Sequence, residues 1–261
     1  MPVPLIIFMR VLLAGVILFL YCRYKRFDLS IRKEDLRTIL LGGIFLGIHW
    51  VTYFYALKLS NVAIALLSLY TFPAMTAILD PVFNKSRLEG IHLLLGVMIL
   101  FGIYLLVPYF SFQSNYFIAV CFGLVSALSY AIRNILIKPK TKHYNQSVLM
   151  FSQLLVITVA LLPVLFFFNT TGVIEYFPAT LTLALLTTAI GHTLFIQSLN
   201  YFSTTSASLM SSMSPVYGIL LAAIFLDEYP NLITVLGGFV IVSTVVIEAL
   251  RVKNVDKKSK N

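Results

Sequence analysis

Nine apolar runs, each about twenty residues long, follow one another along this chain, and that pattern leaves few folds open. About twenty residues at 1.5 Å rise cross a hydrocarbon core of roughly 30 Å. In lipid the backbone must satisfy its own N–H and C=O groups, so each run is predicted to be a membrane-spanning helix. The runs are Pro4–Tyr21, Leu36–Leu57, Val62–Val82, Leu88–Val107, Tyr116–Ile137, Val148–Phe168, Pro178–Asn200, Ser206–Leu226 and Leu232–Leu250. The predicted fold class is an all-α integral membrane protein. Only 11% of residues are charged, against about 25% in a soluble domain, so most of the surface faces something other than water.

A net charge of +9 on its own could suggest a nucleic-acid partner. The placement of the basic residues argues against one, because they gather in short loops between apolar runs and do not line a groove. Sixteen of the nineteen lysines and arginines fall on one side of a nine-span arrangement, while Lys58 lies on the other and Arg10 and Arg133 lie inside spans. Positive charge stays in the cytoplasm, so the C-terminus and its lysine-rich tail, residues 252–261, are expected there. The N-terminus is then outside, in a multi-pass protein of the inner or plasma membrane. Pro4–Tyr21 lacks the preceding basic residues of a signal peptide and reads as a true span.

Cys22 and Cys121 lie about a hundred residues apart, and no CxxC, HExxH or GxxxxGK[ST] pattern is present. Neither a metal site nor a cofactor nor ATP-driven chemistry is therefore expected. The ten acidic residues form no intramembrane cluster, which argues against a membrane-embedded enzyme. None sits convincingly at mid-membrane, so proton coupling is not supported, and a facilitator or an exchanger remains open.

Offsetting the sequence by 142 residues aligns its two parts without a gap. Pro73 meets Pro215, Gly96 meets Gly238, Ala65 meets Ala207 and Trp50 meets His192. The first four spans pair with the last four, and the fifth has no partner. Each unit then reads as five helices with the first helix of the first unit missing: residues 1–113 hold four, residues 114–251 hold five. Five is odd, so the units should run oppositely through the membrane, a recurring design of secondary transporters.

These residues reach a known family. The chain resembles the drug/metabolite transporter superfamily and, within it, the EamA-like ten-helix transporters. The resemblance rests on Pro4, Phe8 and Arg10 opening a helix, the aromatic run Tyr53–Leu57 ending in Ala-Leu, and the prolines Pro73 and Pro215. Asp227-Glu228 before the last helix and the segment Gly123–Tyr130 complete it. It implies a five-plus-five bundle around a central pathway that moves small metabolites or drugs by alternating access, with export favoured. The first of the ten helices is absent from the pattern, and the expected explanation is an internal start or a truncated copy. Two rivals are a flippase of a lipid-linked intermediate and a non-functional truncated transporter. The expected partners are a small-molecule substrate and the bilayer; the oligomeric state is not legible.

Several span residues are candidates for the pathway. Arg10 is the deepest charge: it either meets an anionic solute or an ion-pair partner, or it reaches back to the outer interface or pairs structurally with a neighbouring helix. Trp50, Tyr53, His192 and Gln197 occupy corresponding stretches of the two parts. Ser208, Ser211, Ser212 and Pro215 share one helical face, and Tyr70 and Pro73 lie in the matching span. A serine face serves equally as a close-packing surface. Arg133 and Asp80 are expected to pair locally or reach the interface, and Glu248 to pair with Arg251. Gly43 and Gly47 read as a packing notch.

Overall fold

In the computed structural model the described residues are 1–83, 90–106, 114–169, 172–211 and 214–258, and their regular structure is entirely helical. Among the described residues there are thirteen α-helices: α1 Val3–Tyr24, α2 Leu36–Leu59, α3 Val62–Leu69, α4 Phe72–Phe83, α5 Gly90–Leu106, α6 Asn115–Ile137, α7 Gln146–Leu161, α8 Val164–Phe167, α9 Phe177–Thr182, α10 Thr193–Tyr201, α11 Thr204–Met210, α12 Ser214–Leu226 and α13 Leu232–Lys258. A ten-residue π-helix, Leu183–His192, joins α9 to α10. Six helical stretches among the described residues are long and apolar enough to cross a membrane, and Ser214–Leu226 and Leu232–Thr244 are shorter apolar helices. The outward surface is apolar, with Phe166 84% and Phe225 77% exposed, as a surface solvated by lipid requires.

Among the described residues, three predicted spans depart from an unbroken α-helix. The turn at Tyr70 and Thr71 separates α3 from α4, and a turn at Leu162 and Pro163 separates α7 from α8. Pro73 therefore stands second in a new helix and not in the middle of one. Proline lacks the N–H that an interior position must donate, but the first turn of a helix has no use for that donor. The seventh span changes winding at Leu183, where α9 gives way to the π-helix. At the C-terminus, α13 runs on through Lys258, so most of the basic tail continues the last helix.

The chain forms two compact units that interleave in sequence. Met1–Val51 and Ile132–Phe202 make the first; Thr52–Ala131 and Ser203–Asn261 make the second. Each unit thus takes helices from both parts of the 142-residue alignment.

Within the first unit, α1 lies along α7 and along the π-helix. The α2 face carrying Gly42, Gly43 and Gly47 meets α7: a Cβ on Gly43 would stand 2.6 Å from Val156 Cβ, and one on Gly47 3.4 Å from Ile157 Cγ1. This is the notch expected from the sequence. A polar cluster ties the unit's loops together at one end. Asp35 accepts from Lys140 Nζ at 2.5 Å and from the Tyr144 hydroxyl at 2.5 Å, and Arg32 Nη2 lies 3.1 Å away. Lys138 donates to the carbonyls of Leu199 and Phe202 at the end of α10. The loop before α2, the loop before α7 and the end of α10 therefore share one side.

Within the second unit, α5 packs on α13, α3 on α12 and α4 on α11. Ile64, Leu67, Val120 and Ile241 form its buried core. Glu228, part of the Asp-Glu pair read in the sequence, accepts the Val62 N–H at 2.8 Å, and Asn61 Oδ1 accepts from Ile64 N at 3.0 Å. Together they cap the start of α3, which satisfies donors that the helix cannot reach itself. Asp227 makes this possible by adopting φ +55°, a left-handed turn that aspartate tolerates better than most residues.

Candidate functional site

Three of the sequence candidates, Arg10, Trp50 and His192, meet in the first unit. Arg10 does not reach the interface. It is 4% exposed, and it is positioned by two threonines that sequence reasoning overlooked. Its Nε donates to Thr188 Oγ1 at 2.5 Å and its Nη2 to Thr187 Oγ1 at 3.0 Å.

The π-helix explains why neighbouring threonines can serve one guanidinium. The Thr187 hydroxyl donates to the Leu183 carbonyl four residues back at 2.7 Å, and the Thr188 hydroxyl reaches the same carbonyl five residues back at 3.2 Å. The widened i to i+5 spacing lets both use that carbonyl. Each hydroxyl spends its proton there and presents lone pairs to Arg10. Threonine hydroxyls orient a guanidinium without adding negative charge.

The Arg10 guanidinium carbon lies 4.5 Å from the centre of the Trp50 ring, a cation–π stack. Trp50, 1% exposed, donates its indole N–H to His192 Nε2 at 3.2 Å. Indole nitrogen can only donate, so Nε2 accepts and the ring proton of His192 sits on Nδ1. His49 meets the same imidazole edge-on at 6.4 Å between centroids. A cation, an indole and two imidazoles thus form one largely buried group on α1, α2 and the π-helix.

Arg133, also in this unit, is fully buried. Its Nε donates to Gln153 Oε1 at 2.7 Å and its Nη1 to Asn134 Oδ1 at 2.9 Å, so of the two expected outcomes it is local pairing that occurs. Gln197 does not join the Arg10 group. It lines a separate cavity of about 460 Å³ with Tyr21, Gln146 and Thr193.

The remaining candidates belong to the second unit. Ser208 is fully buried, and its carbonyl accepts from the Ser211 hydroxyl at 2.7 Å. Tyr70 shares a hydrogen bond with Ser214, and its ring lies 5.5 Å from that of Phe72. Pro73 and Pro215 are buried. Tyr53 packs edge-on against Phe54. Asp80 is half-buried. Ser212 lies outside the described residues, as does the Glu248 side chain.

With this geometry in hand, comparison with known proteins assigns the family. The model of the EamA-like transporter family matches residues 1–107 and 117–248. The chain belongs to the EamA-like transporter family. An uncharacterised transporter of Archaeoglobus fulgidus is 29% identical over 212 residues, covering 81% of this chain and 76% of that protein. The pseudopaline exporter CntI of Pseudomonas aeruginosa is 22% identical over 244 residues, covering 93% of this chain and 84% of that one. A solved crystal structure superposes with TM-score 0.71 at 18% identity, over 98% of this chain and 90% of the other, which speaks to the shared fold. This EamA-like chain is thus a multi-pass membrane transporter by family, and Arg10, Trp50 and His192 form one of the polar groups inside its first unit.

Proposed function

We propose that this EamA-like protein is a secondary transporter that exports small solutes by alternating access, and that Arg10, Trp50 and His192 stand on the solute pathway. The observation that carries the reading is the bond from Trp50 to His192, two positions separated by 142 residues. In a pair of inverted halves, equivalent positions that touch each other lie at the axis relating the halves, where secondary transporters place their substrate sites. One pair of element starts supports such halves: α3 begins at Val62 and α11 at Thr204, again 142 residues apart. We read residues 1–113 and 114–251 as the two halves and nine as the number of spans.

The solute class follows from Arg10. A guanidinium oriented by hydroxyls and stacked on an indole offers planar, charge-assisted recognition of a carboxylate or similar anion. Tyr53, Tyr70, Ser208, Ser211 and Pro215 are the pathway candidates carried by the second unit. The joined basic loops mark the cytoplasmic side, with the C-terminus there.

Efflux from cells expressing the protein tests the reading, using a panel of small carboxylate solutes. Arg10→Met should reduce efflux of the transported solute at least tenfold while the amount of folded protein stays constant, and Arg10→Lys should restore part of it. Undiminished efflux through a folded Arg10→Met protein would remove Arg10 from the pathway.

A further inference from the structure

The first unit holds a second site, apart from the Arg10 group. It is the cavity of about 460 Å³ bounded by α1, the start of α7 and the helix running from Leu185 to Gln197. A volume in the range of roughly 300–1,000 Å³ is typical of ligand pockets. The wall changes character along its length. Ile17, Leu185 and Ile190 line one end; Tyr21, Gln146 and Gln197 line the other. Both α1 and α10 run towards the loops carrying the basic residues, so the polar end of the cavity is the basic end.

Three observations point to what fills it. First, the cavity opens outward: Leu194 is 56%, Ile190 45% and Tyr21 44% exposed, so its mouth faces the surroundings of the bundle. Second, Thr193 lies on the wall between the apolar and polar ends, and its buried Oγ1 has no hydrogen-bond partner. Thr180, Thr182 and Thr187 all return their hydroxyls to the carbonyl four residues back. A buried hydroxyl left unmade costs about 1–3 kcal/mol, so a ligand acceptor at this depth would be favoured. Third, exposed cations flank the polar end from both loops, Lys25 and Arg26 after α1 and Lys142 before α7. None of them lines the cavity, so they supply potential without filling it. A ligand matching all three is long, apolar at one end, able to accept a hydrogen bond midway and negatively charged at the other end.

We infer that this cavity binds an anionic phospholipid from the leaflet on the basic side of the protein. One acyl chain lies along Ile17, Leu185 and Ile190, an ester carbonyl accepts from Thr193, and the phosphate sits among Tyr21, Gln146 and Gln197 under the field of the flanking cations. Juxtamembrane basic residues attract anionic headgroups by about 1 kcal/mol each near the surface.

Native mass spectrometry of the purified full-length protein, with added phosphatidylglycerol or phosphatidylcholine of the same chain length, tests this. Phosphatidylglycerol should be retained at least fivefold better than phosphatidylcholine. Gln146→Glu and Gln197→Glu each place a negative charge where the phosphate would lie, and each should bring retention of the two lipids to the same level. Both positions are polar and at least partly exposed, and a carboxylate in the first turn of α7 favours that helix, so both variants should fold. Thr193→Val should weaken retention of phosphatidylglycerol two- to fivefold. Equal retention of the two lipids by the unmodified protein would overturn the assignment. So would selectivity that survives both glutamate variants, or displacement of the lipid by a soluble carboxylate that the protein transports.

Discussion

Trp50 donates its indole N–H to Nε2 of His192 at 3.2 Å, and the bond joins two residues that an ungapped 142-residue offset superposes. The partners differ chemically where their positions correspond: one can only donate and the other accepts. Two tryptophans there could not make this bond, because each indole can only donate. Divergence of the two parts at this position is what supplies a donor and an acceptor.

Removing either partner should therefore cost more than removing both. Trp50→Phe leaves the His192 acceptor without its donor, and His192→Phe leaves the indole N–H stranded, so each single variant should lose about 1–2 kcal/mol. The Trp50→Phe/His192→Phe double variant should lose less than the sum, because an apolar pair carries no stranded group. Thermal unfolding of the three proteins in one detergent checks this. Strict additivity would mean that the bond contributes nothing to stability.

The glycines of α1 and α2 should respond oppositely to alanine. A Cβ on Gly43 would stand 2.6 Å from Val156, whereas nothing lies within 4 Å of the position a Cβ would take on Gly15. Gly43→Ala should destabilise by about 1–3 kcal/mol through overpacking. Gly15→Ala should be neutral or stabilise by up to about 1 kcal/mol, the helix-propensity difference. Melting temperatures in detergent decide it.

The loop cluster should act as a clasp on the first unit. Asp35 is 2% exposed and takes contacts from Lys140, Tyr144 and Arg32. Asp35→Asn removes the charge that two cations face, and a pair buried on one side only should cost about 1–3 kcal/mol, between the exposed and buried extremes. Limited proteolysis should then cut the segment between α1 and α2 several-fold faster. Unchanged cleavage would show that other contacts hold this loop.

Much of this was legible beforehand. Hydropathy found α1, α2 and α6 to within a few residues because a bilayer selects for length and apolarity, both of which are written in composition. The Gly43 notch was legible because small residues four apart make a groove on any helix. The break before Pro73 was not, since a broken span of two helices has the same apolar content as an unbroken one. Nor was the threonine seat of Arg10. Thr187 and Thr188 looked like ordinary span residues, and only the winding at Leu183 brings both to one guanidinium. Their position one turn before His192 was the signal available. The burial of Arg133 depended on Gln153 arriving from α7, a tertiary fact that no window of sequence contains.

The π-helix couples two sites that share no residues. Leu183–His192 is wound with five-residue spacing, while the stretch 142 residues earlier, inside α2, has the same length and is wound as plain α-helix. Tightening the later stretch to match would change the phase of everything beyond it. Thr187 and Thr188 would part from their common carbonyl, and Thr193 and Gln197 would swing away from the cavity they line. Arg10's seat and the outer cavity are therefore held in step by a single choice of helical pitch, and whatever resets one resets the other.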